Sequence, residues 1–165
     1  MHRGFNLPLD VTFKDSYATS GRIIAVRHQA IVRPALDFFL SDRGALDGSL
    51  LQEHWFPQIA ADVFISHSHR DTDLAVALAG WIADTFGLEP FIDSCVWGYA
   101  NDLLKSIDER YCMNPDGTTF NYDKRNGASS HVHMMLSVAL GKMIDSTECL
   151  IFLNTPNSIS SADAA

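Results

Sequence analysis

At 165 residues the chain has room for one domain of ordinary size with a short appendage, and its 47% hydrophobic content describes a chain that buries a core. A formal net charge of -8 gives no global field for phosphate backbones, and Lys124-Arg125, the nearest approach to a basic patch, reads as solvated surface; no nucleic-acid partner is expected. No apolar run approaches the ~18 residues of a membrane helix, and the three widely spaced cysteines, Cys95, Cys112 and Cys149, suit free thiols, so the expectation is a cytoplasmic protein with no membrane partner.

In chain order, residues 1–60 read as a helical leader or cap. From Ser20 to about Phe56, the residues Ile23, Ile24, Ala30, Ile31, Phe38, Phe39 and Leu40 have helical spacing that Pro34 interrupts, which predicts two short helices. Residues 61–165 change texture, into short apolar runs alternating with amphipathic ones. Val63-Phe64-Ile65 is a strand leading through the polar segment Ser66 to Arg70 into a helix carrying Leu74, Ala77, Leu78, Trp81 and Phe86, with Asp71 as N-cap and Gly87 as the left-handed stop.

Pro90-Phe91-Ile92 is a second strand, followed by a loop from Asp93 to Ala100 and a helix capped near Asn101. Met113 to Ala128 has turn composition and is expected as a long excursion. A third helix, from Ser129 or Ser130, carries the stripe Val132, Met135, Leu136, Ala139, Leu140 and Met143. Cys149-Leu150-Ile151-Phe152-Leu153 then reads as a strand buried on both faces. The order βαβαβ predicts an α/β fold with a parallel sheet. In such a sheet ligands bind outside the carboxyl ends of the strands, here the loops Ser66 to Asp71, Asp93 to Ala100 and Asn154 to Ser161.

Asp62-Val63-Phe64-Ile65-Ser66-His67-Ser68, with Asp71 a few residues on, resembles the first box of Toll/interleukin receptor (TIR) domains. Phe91-Ile92-Asp93 followed by Trp97-Gly98 resembles the family's second strand running into its BB loop, and Asn154-Thr155-Pro156-Asn157-Ser158 is similar to its third strand-end turn. The resemblance covers about Asp62 to Ser161. It implies a flavodoxin-like sheet of five strands, of which the chain carries three, and a divergent bacterial branch with immune, anti-phage or signalling duties.

Family members cleave the nicotinamide–ribose bond of NAD or act as self-associating signalling modules. Cleavage requires a carboxylate beside the ribose, where positive charge develops in the transition state. The resemblance places the family's catalytic glutamate just past Ala165, so no catalytic residue is assigned and NAD cleavage by the chain alone is not expected; Asp163 is a poor substitute, and Glu109 and Glu148 read as surface. NAD enters as a possible substrate rather than a cofactor, with Ser66, His67, Ser68, Arg70, Asp71, Asp93, Trp97 and Gly98 as the nucleotide-binding candidates. Ser68 and the amides entering the Asp71 helix suit phosphate oxygens, and Arg70 adds a cation. The bland reading is that Ser68, Asp71 and Asp93 are caps and Trp97 is a packing anchor.

Two alternatives stand beside this. A non-catalytic TIR module would assemble into a homo-oligomer through the BB loop, and an apolar third strand left at the sheet edge would invite pairing with another chain. Separately, His67-Ser68-His69-Arg70-Asp71 matches most of the His-x-His-x-Asp-His signature of zinc hydrolases, but Thr72 occupies the place of the last histidine. His131 and His133, two residues apart on a helix, do not face the same way.

Overall fold

The computed structural model describes residues 13–31 and 48–158, without the side chains of residues 54 and 95–99. The described chain is mixed α/β and mostly helical: α1 (Asp15–Ile31), α2 (Gly48–Trp55), β1 (Val63–Ser66), a 3-10 turn (His69–Asp71), α3 (Thr72–Phe86), β2 (Pro90–Ile92), α4 (Ser94–Ile107), a π-helical turn (Asp108–Cys112), α5 (Tyr122–Ser146) and β3 (Cys149–Phe152). The three strands form one parallel sheet in the order β2-β1-β3. Phe64 is in register with Phe91 on one side and Leu150 on the other, so the two strands expected to be neighbours are neighbours.

Because strand side chains alternate, the sheet has two differently built faces. Val63 and Ile65 point with Leu153 into a core closed by Ala75, Val76, Ala79 and Ile82 of α3. Phe64 and Phe91 point the other way, into a core of larger residues from α2, α4 and α5, among them Trp55, Leu103, Leu136 and Met143. The first half of the chain thus contributes to both: α2 supplies Leu51 and Trp55 to the second core, and α1 lies across α3.

The α1–α3 crossing is set by two glycines. A Cβ on Gly80 would stand 1.8 Å from the carbonyl oxygen of Tyr17, and one on Gly21 would stand 1.8 Å from that of Val76. The helices therefore touch backbone to backbone, a separation only glycine permits. At its end α1 is tied to the start of β2: Arg27 pairs with Glu89, and His28, 1% exposed, places Nε2 2.8 Å from Glu89 Oε1. Gly87 ends α3 as its sequence position indicates, with φ of 67° and its N–H donating to Ala83 O at 2.9 Å.

Several expectations are corrected. The segment Asp93 to Ala100 is not a loop: α4 starts at Ser94, because Asp93 adopts a right-handed helical conformation and the chain turns directly off the strand. Val96, Ala100, Leu103 and Ile107 carry that helix's spacing. The excursion is also shorter than its composition implies. Asn121 caps α5 by accepting the Lys124 N–H at 3.0 Å, so the helix begins seven residues earlier than Ser129, at Tyr122. The nine intervening residues are pinned by the bridge between Met113 and Phe120 and by Asp116, which accepts the Thr118 and Thr119 amides and the Thr119 hydroxyl, so that its carboxyl is held down to about 2.

Nor is β3 buried on both faces. Leu150 and Phe152 share the face of Phe64 but remain 53% and 62% exposed, because the described helices on that side cover β1 and β2. The expected break at Pro34 falls outside the described residues.

Candidate functional site at the strand ends

The first residues after β2 and β3 are both hydrogen-bonded to the end of β1. The Asp93 N–H donates to Ile65 O at 3.2 Å, and the Leu153 N–H donates to Ser66 O at 2.9 Å. β1 therefore ends between its two neighbours, and whatever follows it is held against both.

On the β3 side the tie is Asp71. This residue stands at the N-cap of α3, yet its side chain makes no cap bond. Its Oδ2 instead accepts the Thr155 hydroxyl at 2.5 Å and its Oδ1 accepts the Asn157 amide at 2.7 Å. The expectation of a simple helix cap is corrected: two donors from the β3 loop outcompete the local amides. Those donors, the Thr155 hydroxyl first and the Asn157 amide second, hold the carboxyl below the ordinary carboxylate range against the opposing effect of burial, and the nearby His67 acts in the same direction. The loop itself is locked, since Thr155 N–H donates to Ser158 Oγ at 2.8 Å and Ser158 Oγ donates to Leu153 O at 3.0 Å.

On the β2 side the tie is His67 with Asp93. Their side chains are 0% and 8% exposed, and Nδ1 lies 2.6 Å from Oδ1, an ion-pair distance without hydrogen-bond alignment. The His67 N–H also donates to Asp93 Oδ2 at 3.4 Å. The histidine Nε2 is buried with no hydrogen-bond partner among the described residues. Asp93 makes no cap bond to α4; its carboxylate is turned toward His67 instead.

Between the ties runs the 3-10 turn. Ser68 O accepts the Asp71 N–H at 2.8 Å, and the side chains of His69 and Arg70 are exposed. Of the candidates, Ser66, His67, Ser68, Arg70, Asp71 and Asp93 are brought together. Trp97 and Gly98 are not in a BB-type loop; they belong to the helical backbone of α4, and their side chains lie outside the described residues. Thr155 and Asn157 were not among the candidates, although the Thr-Pro-Asn-Ser turn at a predicted strand end was a signal for polar groups there.

The zinc arrangement is not supported, because among the described residues no group of three or more His, Cys, Asp or Glu converges to hold a metal ion. His67 is turned onto Asp93 and Asp71 onto Thr155 and Asn157, while His69 is exposed. Glu109 and Glu148 are exposed and away from these loops, and His131 and His133 lie exposed within α5. No helix among the described residues is long and apolar enough to cross a membrane.

Concavity and chemistry do not coincide. A hollow of about 570 Å³ lies between α4 and α5 and contains none of the strand-end residues. The strand-end site is distinguished by its polar network, in which the Asp71 and Asp93 carboxylates are turned onto neighbouring segments. No protein-family model, curated protein or solved structure matches the chain.

Proposed function

We propose that the chain is a TIR-like module of flavodoxin-like topology, of bacterial immune or signalling type and cytoplasmic, that recognises NAD or a related nucleotide at the strand ends without cleaving it on its own. The observation that carries this reading is the parallel order β2-β1-β3 with polar loops joined across β1 and β3. That order is the start of the doubly wound 2-1-3-4-5 arrangement, whose topological switch point, between β1 and β3, is where such folds take nucleotides. The three TIR-like boxes fall on three adjacent strands, each at the same end of the sheet.

Ser68 and Arg70 supply a hydroxyl and a cation for phosphate oxygens at the entrance to α3. Binding without cleavage follows from the state of the acids. A developing oxocarbenium ion needs an uncommitted carboxylate at its ring. Asp71 faces Thr155 and Asn157, and Asp93 faces His67. Purified protein titrated with NAD in a calorimeter should show saturable binding, and prolonged incubation should release no nicotinamide by liquid chromatography. Absence of any binding heat would sink the nucleotide reading, and sustained nicotinamide release would sink the claim of inactivity.

The exposed β3 favours a second reading, a self-associating module. Cys149, Leu150 and Phe152 form an apolar edge segment without an internal charge, a template for pairing with a second copy. Sedimentation should then be concentration-dependent and revert to monomer on Phe152→Lys; a monomer at all concentrations counts against it.

A further inference from the structure

We infer that the cleft between α4 and α5 is a second binding site, for a flat uncharged heterocycle of nucleoside size, separate from the strand-end network. Its volume, about 570 Å³, falls within the range of small-molecule sites. One wall is the π-helical turn Asp108–Cys112, a wide conformation that is rare in proteins and concentrated at functional sites. The wide turn follows α4 directly and places the consecutive residues Asp108 and Glu109 both on the cleft wall.

The opposite wall is prepared for a ring. Arg125 donates from Nε to Asp108 Oδ2 at 2.9 Å and lies over the Phe120 ring, 5.1 Å from its centroid, so two contacts hold its guanidinium at the cleft. Tyr122 stands beside it with 75% of its surface exposed, a large aromatic face without apolar cover. A planar ligand gains stacking on such faces whatever its identity.

Charge and hydrogen-bonding capacity narrow the class. The lining cations Lys105 and Arg125 are balanced by the lining anions Asp108 and Glu109, so the cleft offers no net attraction to an anion or a cation. Asn101 and Asn126 each bring an amide that both donates and accepts, which matches the mixed edge of a heterocyclic base better than a phosphate. Neutral, flat and edge-polar describes a nucleoside.

The test is titration of isotope-labelled protein with adenosine, read by amide chemical shifts. Saturable shifts should appear in residues 101–109 and 120–129, and Tyr122→Ala should weaken binding about tenfold while leaving the melting temperature unchanged, since the ring is exposed. Arg125→Ala provides a second variant and should weaken binding as well. Adenosine monophosphate should bind no more tightly than adenosine. The inference is overturned if no amide shifts saturate, if the shifts are confined to residues 66–71 and 154–158, if Tyr122→Ala binds as wild type, or if the monophosphate is preferred by tenfold or more.

Discussion

The two faces of the sheet are held by opposite means. On the α1/α3 face, glycines and alanines let backbones touch, and the contact depends on what is absent from Gly21 and Gly80. On the α2/α4/α5 face, large side chains fill the space, with Phe91 and Phe64 tilted against each other at 5.4 Å between ring centroids and Phe91 fully buried. The first face should fail when something is added and the second when something is removed. The largest expected effect is therefore on the second: Phe91→Ala should cost about 3–5 kcal/mol, measured as the shift in urea-denaturation midpoint at constant slope. A loss below about 1 kcal/mol would mean that the face repacks freely and the contrast is empty.

The same substitution made on the two sides tests the contrast most directly. Gly80→Ala should destabilise by about 1–3 kcal/mol, because its Cβ meets the Tyr17 carbonyl. Gly141→Ala, on α5 with nothing within 4 Å of the new atom, should instead stabilise by roughly 0.5–1 kcal/mol, the ordinary gain of alanine over glycine inside a helix. Two losses, or two gains, would break the comparison.

These differences also mark the limit of what the sequence shows. Local patterns located the strands, because Val63-Phe64-Ile65 and Pro90-Phe91-Ile92 are short apolar runs bounded by polar residues, and Gly87 announced the end of α3. Composition misled where it imitated a loop. Trp97-Gly98 lies within a helix whose stripe continues through Ala100 and Leu103, and Asn121 to Gly127 looks like turn chemistry but opens with a working cap. The site was half legible. Its β1 residues stand at a strand end, as any ligand loop would, but the commitments of Asp71 to Thr155 and Asn157 span more than eighty positions and leave no local trace. The glycine crossing was invisible for the same reason, since Gly21 acquires its meaning only from Val76.

A smaller effect separates the two ends of the strands by pH. At the N-terminal end, His28 is desolvated against Phe91 and its pKa lies below the ordinary histidine value, with the Glu89 contact opposing that shift and Arg27 reinforcing it. The unfolded chain therefore takes up the proton first. The stability tied to neutral His28 is complete above the ordinary histidine value, about 6.5, and is lost as pH falls through it toward the folded value. His28→Gln, which cannot titrate, should have a melting temperature that declines less between pH 7.5 and 5.5 than that of the parent; equal declines would assign the loss to other groups.

At the C-terminal end the dependence should be displaced to far lower pH. Asp71 is held in its charged form by Thr155 and Asn157, and its folded pKa is lowered, so the contribution of this latch is present above the ordinary carboxylate value and disappears only as pH falls through the folded one. Amide exchange at Leu153, Thr155 and Asn157, whose N–H groups donate to Ser66 O, Ser158 Oγ and Thr155 Oγ1, should keep the same protection factors from pH 8 to 5. Asp71→Asn replaces an acceptor with a donor facing one of two donors already present, and should lower protection in that loop across the whole range while leaving α3 and α5 unchanged. If protection in the loop were unaffected, the short contacts of Asp71 would carry no weight, and Asp71 would become available to bind ligand instead of shaping the crevice in which a ligand sits.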